Sequence, residues 1–214
     1  MYLDWLFNNP DIVWEATLEH MRICLVAIVI ALPLAAGLGI ASVVWGPIRQ
    51  PVLWLVGTLY TIPSLAMLAF LVPSQGLGVR PTVILLVLYA QVFLVRNIIT
   101  GLTGVNAQTL EAAYGVGMNT WQTLAQVWIP MAMPVMLAGV RIALTTVIGL
   151  AVLGGWANAG GLGEILFMGI SSNNPERVMA GVVSIVALAL VVDGLMRALE
   201  ALTPMARANR AARQ

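Results

Sequence analysis

The chain contains no lysine; all ten of its cations are arginines. This excludes a nucleotide-binding P-loop, whose lysine reaches the phosphates. Any ATP used on behalf of this chain is therefore hydrolysed elsewhere. A single histidine, His20, and a single cysteine, Cys24, exclude a metal cluster and an intrachain disulfide. Charge of either sign is scarce: 9% of residues, with 60% hydrophobic. Soluble domains carry about a quarter charged residues, so the composition predicts a polytopic membrane protein.

The net charge of +1 says little, but its distribution is uneven. Asp4, Asp11, Glu15 and Glu19 precede or flank Arg22, the one cation of the first 22 residues, whereas Arg207, Arg210 and Arg213 close the chain with no acid after Glu200. An acidic start is wrong for a signal peptide, which begins basic. A spanning helix needs about 20 mostly apolar residues. Five segments qualify, at about 23–45, 52–72 (with Pro63 inside), 82–102, 134–154 and 178–199. The expected fold is thus all-α, with a segment 1–22 outside, a membrane domain over 23–200 and an arginine-rich tail over 201–214. The arginine bias places the N-terminus outside and the C-terminus in the cytoplasm. It also puts the polar insert at 103–133 on the cytoplasmic side.

That insert is the least membrane-like stretch of the interior. Asn106 is suited to cap a helix through Leu110–Val116, and Gly117 permits a break after it. Asn119 and Gln122 have the spacing of a reciprocal capping box. From there Trp121, Leu124, Ala125 and Trp128 recur at i, i+3, i+4 and i+7, which predicts one anchored apolar face. Pro130 is expected to end the element. The residues alone fit an interfacial amphipathic helix as well as a docking helix for a partner.

The spacing Glu111-Ala112-Ala113, three residues, Gly117, nine residues, Val127, one residue, Ile129-Pro130 resembles the EAA loop of binding-protein-dependent ABC importer permeases. Val127 and Ile129 are mild departures, standing where that pattern has isoleucine and leucine. The segments LYTIPSLAMLAFLVP (59–73), LYAQVFLVRNIITGL (88–102), PVMLAGVRIA (134–143) and GGLGEILFMGI (160–170) look like those of glycine betaine, carnitine and choline permeases. The resemblance implies a membrane subunit with no catalytic residues, metal or cofactor of its own. ATP and magnesium would be bound by two cytoplasmic ATPase subunits docked on loops containing Glu111, Ala112, Ala113, Gly117, Asn119, Gln122 and Pro130. It further implies a second permease subunit, identical or not, an external binding protein, a lipid surround and no nucleic acid. The solute would be a small quaternary amine. An amino acid on the same architecture is the alternative, and a secondary transporter a more distant one, since no acid stands at mid-membrane and no repeat is convincing.

Charges within spans default to paired or functional roles. The depths of Arg141 and Asp193 predict that they meet, with Arg197, one turn beyond Asp193, as a competing partner. Aromatic faces attract quaternary ammonium groups, which makes Tyr60, Tyr89, Phe93 and Trp156 candidates for a substrate path, although such residues are more often packing. Pro63 frees a carbonyl and is expected to kink the second span, either as a hinge or pore-lining member of that substrate path or as a static bend. Residues 164–170 are expected to form a short re-entrant or surface helix.

Overall fold

A computed structural model describes residues 4–202. The arginine tail at 207–213 lies outside these described residues. The chain builds α1 (Asp4–Asn8), α2 (Pro10–Val44), α3 (Arg49–Thr61), α4 (Ser64–Gln75), α5 (Val79–Thr103), α6 (Ala107–Gly115), α7 (Thr120–Thr123), α8 (Ile129–Ala151), α9 (Leu162–Ser171) and α10 (Pro175–Leu202). Among the described residues there is no strand. The protein is an all-α, multi-pass membrane protein.

The centre is α5. It is apolar all round, as a helix enclosed by others must be, and 67% of its most hydrophobic window is buried. Leu86, Ala90, Leu94, Val95 and Leu102 are core residues. The helix packs mainly against α2 and α8. Gln91 fits this apolar centre because its amide donates to the carbonyls of Ala31 and Val87, each at 3.2 Å. By contrast only 11% of the corresponding α10 window is buried, so most of that helix faces outward from the chain.

Among the described residues four helices are long and apolar enough to span a membrane, and a fifth crossing is counted when α3 and α4, bent by 92° at their break, are taken as one broken span. Two contacts show that the broken pair connects opposite ends of the bundle. At its start, Trp45 shares a cavity with Trp121. At its finish, the N–H of Gly78 donates to Ala157 O at 2.6 Å, beside the α8–α9 connection.

Three sequence expectations are corrected. Helix α2 begins at Pro10, far ahead of the boundary at 23; hydropathy marks where the membrane-like composition starts, not where the helix does. Pro63 does not merely kink a helix. It separates two, with Ile62 and Pro63 both extended at ψ 130° and 127°, as expected of a residue preceding proline. Pro130 does not end its element, because Thr120–Gly155 runs on as one span. A π-helical turn at Leu124–Trp128 precedes the proline, which then occupies the first turn of α8, where a missing N–H is tolerated.

Candidate functional site

The insert between α5 and α8 is built by caps. The side chain of Asn106 accepts from Gln108 N at 2.8 Å and starts α6. Gly117 follows that helix at φ +89°, the left-handed conformation that glycine adopts without a Cβ penalty. Asn119 Oδ1 then accepts from Gln122 N, and Gln122 Oε1 from Asn119 N, both at 2.9 Å. This reciprocal box starts α7 and satisfies donors a helix start leaves unpaired.

Glu111, Ala112 and Gly117 are exposed, while Ala113 is buried. Asn119 and Gln122 are exposed as well. Ala113 therefore seats α6 on the bundle, and the acidic and glycine positions point away from it. The anchored face differs from expectation. Trp121 is 72% exposed, whereas Thr123 and Leu124 are buried and Trp128 is half-buried. The π-helical turn has a longer repeat than an α-helix, so it rotates the residues after Thr123 out of the α-helical register on which the expectation rests.

A second constellation sits at the break in the broken span. Tyr60 on α3 lies with its ring 5.3 Å from that of Phe93 in an edge-on arrangement, and 5.6 Å from that of Tyr89. Both partners are on α5, one helical turn apart. Tyr89 is buried, and its hydroxyl donates to Ile62 O, a carbonyl left over where α3 stops. Pro63 lies at this junction and is exposed. Trp156 is not part of the cluster; it follows a 3-10 turn at Val152–Gly155 and is 45% exposed.

A third constellation joins α8 to α10. Arg141 Nη1 donates to Asp193 Oδ1 at 3.3 Å, and Arg197 Nε donates to Asp193 Oδ2 at 2.7 Å. Glu200 also lies within ion-pair distance of Arg141, at 2.9 Å. Asp193 thus takes both candidate partners at once. Glu200 was not foreseen, although it stands seven residues beyond Asp193, on the same face of α10.

At the far end of the bundle, Glu19 Oε2 accepts from Gly161 N at 2.8 Å. The next residue, His20, is fully buried with Nε2 3.0 Å from Ile148 O. Together they fasten α2 to the start of α9 and to α8. Nothing in the local sequence marks these two residues as partners of such distant positions. Residues 162–171 form α9 as a short apolar helix.

Residues 26–203 match the family described as "Binding-protein-dependent transport system inner membrane component". The chain is 36% identical over 193 residues to the glycine betaine/carnitine/choline transport system permease protein OpuCB of Bacillus subtilis, covering 90% of this chain and 88% of that one. It is 35% identical over 198 residues to the choline transport system permease protein OpuBB of the same organism, with 92% and 91% covered. To the osmoprotectant import permease protein OsmW of Salmonella typhimurium it is 34% identical over 208 residues, with 94% and 97% covered. In fold it is similar to a chain of the MetNI methionine ABC transporter in an inward-facing conformation. There the TM-score is 0.73 at 22% identity, over 89% of this chain and 93% of that one.

Proposed function

The chain belongs to the family of inner-membrane components of binding-protein-dependent transport systems, and on that premise we propose that it is the permease subunit of an ATP-driven importer of a quaternary amine such as glycine betaine, carnitine or choline. The observation that carries this reading is the exposed α6–α7 element. It presents Glu111, Ala112 and Gly117 at one end of the bundle, in the spacing by which permeases of this kind engage their ATPases. The chain has no lysine to serve a P-loop, so its energy comes through that surface. The solute class rests on the names of the relatives just described.

In this reading two permease subunits enclose the path, two ATPases dock on the α6–α7 elements, and an external binding protein delivers the solute to the opposite end. The termini lie on opposite sides, with the N-terminus outside, as the arginine bias requires. ATP-driven closure of the ATPase pair shifts α6 and α7. Because α7 continues through the π-helical turn into α8 without a break, displacement of the docking element is passed directly to a membrane span. The ion network of Arg141 with Asp193 and Glu200 couples that span to α10. The chain contributes motion and a path, and ATP hydrolysis is assigned to its partners.

The test is solute-stimulated ATP hydrolysis by the complex of this chain with its ATPase and binding protein in proteoliposomes. Stimulation by glycine betaine, carnitine or choline is expected. Stimulation by amino acids alone would assign the architecture to a different cargo.

A further inference from the structure

Resting on the reading that the cargo is a quaternary amine, we propose that Tyr60, Phe93 and Arg96 form a station for a zwitterion, with the quaternary ammonium against the two rings and the carboxylate on the guanidinium of Arg96.

Three observations place these groups together. Tyr60 and Phe93 meet edge-on at 5.3 Å. Tyr60 is 42% exposed and Phe93 half-buried, so ring surface is open to a ligand. Tyr89, behind them, is buried and tied by its hydroxyl to Ile62 O, which fixes the rear wall. Aromatic faces attract quaternary ammonium ions, most strongly where water is excluded.

Arg96 follows Phe93 by three residues and so shares its face of α5. The helical rise separates the two positions by about 4.5 Å along the axis. Arg96 is exposed, and its guanidinium has no hydrogen bond or ion pair among the described residues. Arg141 within α8, by contrast, has two carboxylates. An unpaired arginine within a span is costly unless it serves a ligand or reaches water.

The opposing helix leaves space for it. A Cβ at Gly57 would stand 3.1 Å from Arg96 Nη2, tighter than comfortable contact. Gly57 precedes Tyr60 by three residues, so α3 offers a bare patch to the guanidinium and a ring to the ammonium from one face. Arg96 also makes the station selective. It adds a charge-assisted, fork-shaped partner for a carboxylate and repels a solute that carries only a positive charge. Betaine and carnitine fit both halves, whereas choline fits the rings and meets the arginine unfavourably.

The experiment is uptake of labelled glycine betaine, carnitine and choline into proteoliposomes containing the full complex, with solute-loaded binding protein saturating. Arg96→Gln is expected to lower betaine and carnitine rates by about tenfold or more while choline uptake stays the same or rises. Continued choline uptake shows in the same assay that the variant assembles. Arg96→Lys is expected to retain part of the betaine rate. Tyr60→Leu and Phe93→Leu are expected to lower all three. Equal loss of all three solutes in Arg96→Gln, or an unchanged betaine-to-choline ratio, overturns the station and leaves the importer reading intact. A wild-type complex that carries none of the three overturns both.

Discussion

Arg141 on α8 and Asp193 on α10 meet at 3.3 Å, and the same arginine reaches Glu200 at 2.9 Å. One guanidinium therefore holds two carboxylates of the neighbouring helix, placed two turns apart. The three side chains are only partly shielded, at 21%, 26% and 25% exposed, so screening limits what any single pair contributes. The value of the network is that it fixes the register of α10 on α8. Arg141→Met is expected to lower the thermal stability of the purified chain and to reduce transport. Asp193→Asn, which leaves Glu200 in place, should do less of both. A double-mutant cycle between positions 141 and 193 is expected to show coupling; strictly additive effects on melting temperature would contradict the pairing.

The capping box is separable from the rest of the insert. Asn119→Ala removes the acceptor for Gln122 N and is expected to cost about 1 kcal/mol locally. Hydrogen exchange at residues 119–128 should accelerate while exchange in α5 is unchanged. In transport assays the same variant should weaken coupling between ATP hydrolysis and uptake. Unaltered exchange in the insert would show that the box contributes nothing to its order.

Close helix contacts predict opposite outcomes for two glycines. A Cβ at Gly155 would lie 2.2 Å from the carbonyl carbon of Gly163, while one at Gly149 would meet nothing within 4 Å. Gly155→Ala is expected to destabilise by about 1–3 kcal/mol or more through overpacking against backbone that cannot yield. Gly149→Ala should be neutral or stabilise by up to about 1 kcal/mol, since alanine favours the helix. Melting temperatures of the two variants should therefore move apart. A parallel shift would contradict the packing of the α8–α9 connection.

The orientation can be read by labelling, because the chain has one cysteine and it is buried. On a Cys24→Ser background, Gln75→Cys at the C-terminus of α4 should react with an impermeant maleimide on intact cells. Gln108→Cys in α6 should react only after permeabilisation. The reverse pattern would invert the proposed topology. Labelling of neither until permeabilisation would contradict α5 as a single crossing between the two positions.

Much of this architecture is legible in the sequence because membrane physics leaves few alternatives. Long apolar runs must be helices; the span at 82–102 falls inside α5, and that at 134–154 follows α8 to its end at Ala151 and runs three residues into the 3-10 turn after it. The caps at Asn106 and Asn119 are legible for a local reason: a short polar side chain at a helix start acts on atoms two or three residues away. What the sequence hides is of two kinds. The π-helical turn at Leu124–Trp128 shifts the helical register, and no propensity announces it, so the exposed position of Trp121 is missed. The Glu19–Gly161 and His20–Ile148 contacts join residues far apart in the chain, and only the packed bundle brings them together. The Tyr60–Phe93 contact is intermediate. Its aromatic types are visible as candidates, but the break at Ile62–Pro63 is what sets α3 against that face of α5.

The account's central claim is that α6 and α7 transmit the work of a separate ATPase to the membrane spans. The most direct measurement compares ATP hydrolysis and solute uptake in one reconstituted complex, for the wild type and for the double variant Glu111→Lys, Gly117→Val. The account predicts that solute-stimulated hydrolysis and uptake are both lost in the variant, while the overall α-helical content of the isolated chain holds and the strain of valine at the positive φ of Gly117 stays confined to the α6–α7 turn. Normal stimulation and normal uptake with both positions replaced would contradict it.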